Sequence, residues 1–379
     1  MQIHLQETDV TKAAELAKMG EVLDNSQIGG RRNIIINGNM KVAQRSTSAT
    51  GLGASSGYFG LDRFQLFFNT SGRLTMSQEA DGPSGFANSM KLACTTADTS
   101  IAATENIILS QAIEAQDLQQ LKKGTSDAEK FTLSFYVKGN ASAAYSVEVY
   151  DSDNNRSIGQ TFSVTTSWNR VVLTFDADTS GALNDDNGVG FYVNWWLHAG
   201  SNYTGGTFNT TWQDYVNNQR AGNTTSFLDS TDRTFFMTGV QLEVGSQATP
   251  FEHRSFGEEL ELCKRYFQKT GNVSGNAYTP LTPYFDAATT SDGYCPIPLR
   301  PKMRLASAIA VSHSGVGELG LSIGTGTSAV SAVALQAAQS GEDFITIKFT
   351  SSDTLTQYRP MRVYANNDAT AFIAFDAEL

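Results

Sequence analysis

Residues 131–138 constrain this chain more than any other stretch. Phe131, Leu133, Phe135 and Val137 fall on one side, and Thr132, Ser134 and Tyr136 on the other. Only a pleated strand with one buried face has a two-residue period. The same strand character returns at 63–68, 73–78, 89–93, 103–111, 145–151, 160–165, 169–175, 189–197 and 234–244, with Gly, Asn, Asp and Ser between the runs. Many short strands bounded by turns predict a sandwich or jelly roll. Composition agrees. Charged residues make up only 17% of the chain, and Ser, Thr, Asn, Gln and Gly carry the polar balance. Those residues suit turns and pleated surfaces. A helical bundle would need more Glu, Lys, Leu and Ala.

Four stretches follow along the chain. Residues 1–32 carry Val10, Ala13, Leu16, Ala17 and Leu23 near helical spacing and stop at Gly29-Gly30. A lone helix of that length is marginal in water, so its apolar stripe needs a partner. That partner is another chain, as a coiled coil or a docking site, or the helix lies on its own domain. Residues 33–253 read as one large all-β domain, with a single helical turn or a bulge at 117–121. Residues 254–270 read as a linking helix, because Phe256, Leu260, Cys263 and Phe267 recur at helical spacing and Ser255 with Glu258 forms a capping box. Residues 271–379 read as a smaller β domain, with a proline-rich start and strand candidates at 305–311, 318–323, 329–335, 344–349, 361–365 and 371–378.

Several function classes are disfavoured. Net charge is −11, and the basic clusters Arg31-Arg32, Lys122-Lys123 and Arg300–Arg304 are short and isolated. A duplex-binding surface needs a basic stripe, so no nucleic-acid partner is expected. No run is long and apolar enough for a transmembrane helix, and no membrane insertion is expected. Residues 1–7 lack the basic start and apolar core of a secretory signal. The cysteines Cys94, Cys263 and Cys295 cannot all pair and have no metal-ligand spacing, so they read as buried thiols. The four histidines, His4, His198, His253 and His313, fall in no triad or metal motif. The glycine-rich run 51–57 misses dinucleotide spacing and reads as a loop. Asp185-Asp186 could offer the acid and base of a glycosidase, whose carboxyls sit roughly 5–9 Å apart. Acidic loops are common, however, and no catalytic residue is assigned. Asp151-Ser152-Asp153-Asn154-Asn155 begins like a calcium loop, but Arg156 stands at the glycine position and Phe162 at that of the bidentate glutamate. It reads as a hairpin turn.

A resemblance adds to this reading. Gly239–Ser246, the corner Ala248–Arg254 and the run Glu258–Phe267 resemble the junction that ends the jelly roll of bacteriophage tail-fibre and virion-appendage proteins. Asn33–Met40 with Gln44-Arg45, Tyr58 with Leu61–Phe64, Phe131–Gly139 and Trp168–Arg170 resemble other parts of those domains, so the likeness spans most of residues 33–270. Pro298–Arg304 is loosely similar to the β tips of tail fibres. The resemblance implies a carbohydrate-binding-module-like jelly roll, a smaller C-terminal β-sandwich and a homotrimer. It implies an N-terminal anchor on other tail or capsid proteins, and bacterial surface polysaccharide as the ligand. Such a protein is made in the host cytoplasm and carried on the virion. A head-fibre or knob decoration protein, a carbohydrate-active depolymerase and a free-standing sugar-binding module are the alternatives. No cofactor is expected. Sugar-binding jelly rolls often hold a structural calcium, so an ion is left open without named ligands.

Sugars present C–H faces that stack on rings, while amide and carboxylate groups bond the hydroxyls. The densest aromatic region is Trp195, Trp196, Tyr203, Trp212 and Tyr215, most of it in a long loop. These five are the candidate ligand-binding residues. Trp195 and Trp196 are neighbours in a strand and must face opposite ways, so at least one belongs to a core. Trp212 and Tyr215 suit packing as well as ligand stacking.

Overall fold

The computed structural model describes residues 12, 14–16, 31–222, 225–271, 276–304, 309–323, 326–341 and 343–379. The chain divides into two compact units, Met1–Ser255 and Phe256–Leu379.

The first unit is an antiparallel β-sandwich. Its strands are β1 (Ser48–Leu52), β2 (Gly57–Tyr58), β3 (Gln65–Asn69), β4 (Arg73–Glu79), β5 (Ser89–Thr96), β6 (Asn106–Glu114) and β7 (Phe131–Gly139). They continue as β8 (Ala143–Asp151), β9 (Arg156–Val164), β10 (Asn169–Phe175), β11 (Val189–Ala199), β12 (Gln213–Asp214) and β13 (Thr234–Val244). One sheet runs β1-β4-β5-β13-β7-β10, and the other β12-β9-β8-β11-β6-β3-β2. Sequence neighbours such as β5 and β6 lie in different sheets, as a jelly roll requires. The expected helical turn is a 3-10 helix, Ala115–Leu121. A short helix α1 (Ser201–Thr204) lies in the long loop after β11.

Strand alternation builds the core. Phe131, Leu133, Phe135 and Val137 of β7 face Phe191, Val193, Trp195 and Leu197 of β11 and Tyr145, Val147 and Val149 of β8 in one continuous buried cluster. The Trp195 ring meets Phe135 edge-on at 5.8 Å and tilts against Phe64 at 6.4 Å. Burying one such side chain stabilises by about 1.5–3 kcal/mol, so this alternation and not local propensity sets the sheet register.

The 239–254 segment closes the domain. Glu243 accepts bonds from the Thr249 amide (2.9 Å), the Thr249 hydroxyl (2.6 Å) and the Gln241 side chain (2.8 Å). The chain then doubles back onto the start of the domain. Glu252 accepts from the amides of Arg32 (2.7 Å) and Asn33 (2.6 Å), and Arg254 donates to the carbonyls of Ile35 (3.1 Å) and Asn33. Asn33 in turn donates to the Val240 carbonyl at 3.0 Å. At Gly38 a Cβ would stand 2.0 Å from the Val240 carbonyl oxygen, so glycine alone allows this close approach. The motif that carries the family resemblance is therefore a structural clasp.

The second unit starts with helix α2 (Phe256–Lys264) and continues through β14 (Phe267–Gly271), β15 (Phe285–Asp286), β16 (Asp292–Pro298), β17 (Ala310–His313), β18 (Leu319–Ser322), β19 (Thr327–Leu335), β20 (Phe344–Ser351), β21 (Pro360–Ala365) and β22 (Phe372–Asp376). A three-stranded sheet, β14-β22-β17, accompanies a six-stranded one, β15-β21-β18-β19-β20-β16. Ile345, Ile347, Phe349, Val363, Ile373 and Phe375 share its core.

One detail differs from expectation. The helix expected over 254–270 ends at Lys264, and Phe267 opens a strand that pairs with β22, so these residues belong to the second unit and are not a separate link. The strand covers one edge of β22, which a longer helix would have left unpaired. Only 309–311 of the strand candidate at 305–311 falls among the described residues, and β17 begins at Ala310. Of the expected N-terminal anchor, Leu16 is helical and exposed, while Val10, Ala13, Ala17 and Leu23 lie outside the described residues. All three cysteines are buried, as expected.

Candidate functional site

The outer face of the seven-stranded sheet carries the site. Cross-strand register places Phe67 of β3 beside Ile108 of β6, Ile108 beside Trp196 of β11, and Trp196 beside Ser146 of β8. One row along, Ser110, Asn194 and Glu148 stand side by side. The next row places Ala112, Tyr192 and Tyr150 together. Every one of these residues points away from the core because its neighbours in sequence point into it.

A groove of about 340 Å³ opens over these rows, between Phe67, Phe68 and Ile108 on one side and Tyr150, Tyr192 and Tyr203 on the other, with Asn106, Asn194 and Arg220 reaching its surface. Tyr150 and Tyr192 stack at 6.2 Å with their planes 22° apart, and Phe67 meets Tyr192 edge-on at 6.3 Å. These rings are half-buried, so each keeps a face or edge toward solvent. Tyr203 is held by its hydroxyl, which accepts from the Asn106 amide at 3.0 Å.

Beneath the groove is a buried polar centre. The Glu148 side chain is 1% exposed, and both its oxygens are engaged. The Arg220 guanidinium binds it in a fork, with both bonds 2.8 Å long. The Asn194 amide (3.0 Å) and the Trp196 indole N–H (3.1 Å) donate to the same carboxylate. Arg220 also donates to the Tyr215 hydroxyl at 3.2 Å and lies 4.8 Å over Trp196, 4.9 Å over Tyr215 and 5.9 Å over Tyr150. Burial opposes the Arg220 charge, but the attraction and hydrogen bonds of Glu148, helped by Tyr215, raise its pKa above the ordinary value. Burial likewise raises the Tyr150 phenol. Tyr150 and Tyr215 thus lie against an arginine that one buried ion pair holds in place.

The five residues expected from sequence separate. Trp195 is enclosed in the sandwich core and is withdrawn as a ligand contact, because its strand position faces inward. Trp196 faces outward but is fully covered by Tyr203, at 5.1 Å, and by Arg220, so it forms the floor. Tyr203 lines the groove, and Tyr215 flanks it, 5.2 Å from Tyr150. Trp212 packs against Phe131 and Phe191, and its indole N–H donates to the Asp176 carbonyl at 2.8 Å, away from the groove. Sequence reasoning missed Phe67, Tyr150, Tyr192, Asn194 and Arg220. The signal was present for the strand residues: Val147 and Val149 face inward, which leaves Glu148 and Tyr150 outside.

Asp151–Asn155 is the β8–β9 turn, as expected. The Asp151 carboxylate accepts from the amides of Asp153 (3.0 Å) and Asn154 (3.1 Å), as a turn-capping aspartate does. Among the described residues, no group of three or more His, Cys, Asp or Glu could hold a metal ion, and no helix is long and apolar enough to cross a membrane. Asp185 and Asp186 are exposed on a loop.

No protein-family model matches this chain, and no curated protein matches it. Solved structures similar to it include the carbohydrate-binding module CBM4, at 12% identity and TM-score 0.28, over 55% of this chain and 97% of that one. A family 11 carbohydrate-binding module from Clostridium thermocellum, solved with a β-1,3-1,4-mixed-linked tetrasaccharide, is 10% identical with TM-score 0.27, over 54% of this chain and 99% of that one. The enzymatically active domain of tailspike protein 4 from bacteriophage CBA120 is 13% identical with TM-score 0.29, over 56% of this chain and 21% of that one. At these identities and scores, what the chain does has to be read from the groove itself.

Proposed function

We propose that the N-terminal unit binds a polysaccharide segment in the groove between Phe67 and Tyr150, without cleaving it. The observation that carries this reading is the set of half-buried rings, Phe67, Tyr150, Tyr192 and Tyr203, fixed over a rigid sheet and interleaved with Asn106, Asn194 and Arg220. Rings offer stacking faces for sugar C–H groups, and amides and the guanidinium offer donors for hydroxyls. Arg220 makes three of its five possible N–H bonds to Glu148 and Tyr215, which leaves donor capacity on the groove side. Glu148 stays committed to its three partners and acts as a support, not as an acid or base.

On the same reading the whole chain is an adhesive virion protein of the tail-fibre type. It assembles as a homotrimer, is joined to the particle through its N-terminal segment, and contacts glycans on a bacterial surface. Three weak contacts per trimer would multiply into avidity. The test is affinity electrophoresis of the full chain in gels containing bacterial capsule or lipopolysaccharide. Retardation that Tyr192→Ala clearly reduces supports the proposal. Release of oligosaccharides from the polymer replaces it with a depolymerase, and no retardation with any surface glycan rejects it.

A further inference from the structure

Lys123 follows the 3-10 helix at Ala115–Leu121, and its side chain is only 3% exposed. Its Nζ lies 2.6 Å from Asp151 Oδ2 and 3.0 Å from Asp178 Oδ2. It also donates to the carbonyl oxygens of Ser180 and Gly181, each at 2.8 Å. Four oxygens therefore converge on one point, two from carboxylates and two from the backbone. They come from the end of β8 and from the loop after β10. The Trp212 ring covers the site at 5.4 Å. Carboxylates mixed with backbone carbonyls are the donor set that proteins give to hard cations such as calcium. An ammonium has three N–H groups, one fewer than the oxygens around it. The arrangement surrounds a point charge and does not match one directional bond to one hydrogen.

We propose that this is a cation cage whose resident cation is the ammonium of Lys123. It stands where a bound ion would otherwise hold these two segments together. The structural calcium that the family resemblance leaves open does not fit this cage, because Lys123 already fills it. The position matters to the groove. Asp151 directly follows Tyr150, and Arg156, which forks onto Asp178 at 2.8 and 3.2 Å, also reaches Asp214 beside Tyr215 at 3.1 Å. One built-in charge thus anchors the end of the sheet that carries Tyr150 and Tyr215, with no external ion to lose.

The experiment is thermal unfolding of the full-length protein and two variants, in EDTA and in calcium chloride at matched ionic strength. The wild type should melt at the same temperature in both. Lys123→Ala should melt about 10 °C lower in EDTA, since it removes the cation beside buried Asp151 and leaves Asp178 with Arg156 alone, and should recover several degrees in calcium. Lys123→Met should be equally destabilised but unresponsive, because its side chain keeps the cage full. A wild type that responds to calcium, a Lys123→Ala variant as stable as wild type, or one that calcium cannot raise would each overturn the proposal. If Lys123→Ala fails to fold, nitrogen NMR of the wild-type lysines decides. A caged ammonium gives a slowly exchanging Nζ signal at neutral pH, and its absence rejects the cage.

Discussion

Glu148 shows how much one residue can organise. Four donor groups from three side chains, Arg220, Asn194 and Trp196, end on its two oxygens, and the rings of Tyr150 and Tyr215 lie against the arginine it fixes. Removing one member of a buried pair costs about 3–5 kcal/mol, because the other charge is left without its partner. Glu148→Gln keeps the shape and loses the charge. It should lower unfolding stability in urea by about 3 kcal/mol and weaken polysaccharide binding as the rings loosen. Tyr192→Ala removes a ring face and leaves this pair intact. It should weaken binding about tenfold, ~1.4 kcal/mol, with little change in melting temperature, as read by calorimetric titration. His198 belongs to the same scale. It is buried, with Nδ1 2.9 Å from the Ser226 hydroxyl and Nε2 3.6 Å from Glu105. Burial lowers its pKa, against the opposing pull of Glu105 and Asp98. Above about pH 6.5 both the folded and the unfolded imidazole are neutral, and stability is complete. As pH falls below that value the unfolded chain takes up a proton that the folded chain refuses, so stability declines. Urea unfolding at pH 7.5 and 5.5 should show that decline, and His198→Gln should show a smaller one. Equal slopes in the two proteins would exclude His198 as the cause.

At the scale of elements, the sheet was legible and its covering loop was not. The alternation of Phe131 to Val137 is sufficient to place β7, because a one-residue slip would turn every apolar side chain outward. The β8–β9 hairpin was legible from Asp151–Asn155, whose side chains compete for backbone groups as turn residues do. The loop between β11 and β13 has no period, so its contacts come only from the tertiary fold. Arg220 carries no local signal, because its partner Glu148 lies 72 positions away. Phe208 is a similar case. It lies on Gly159 of β9, where a Cβ would come within 2.4 Å of the ring. Gly159→Ala should therefore push Phe208 off the sheet and destabilise the loop by about 1–3 kcal/mol, the usual cost of overpacking. Proteolysis should then cut between residues 199 and 222 faster than in the wild type, while the cores of both sheets stay protected.

At the scale of the molecule, each unit has a core of its own, and among the described residues no buried apolar side chain belongs to both. The clasp at 239–254 explains where the first unit must end. Glu252 and Arg254 hold the backbone of residues 32–35, so a fragment that stops short of them exposes those amides and carbonyls and frees the first strand-like segment. Unsatisfied backbone groups cost about 1–3 kcal/mol each once buried, and several are at stake here. A fragment of residues 31–255 should fold with one cooperative transition and keep the groove, whereas 31–248 should melt at least 10 °C lower or fail to fold, since the four bonds of the clasp go together. The longer fragment also separates affinity from avidity. As a lone unit it should bind polysaccharide with the weak affinity of a single groove, while the full chain, if trimeric by light scattering, should bind a polymer surface 10² to 10⁴ times more tightly. A full chain that scatters as a monomer, or binds no better than the fragment, would remove the trimeric fibre and leave a single sugar-binding unit.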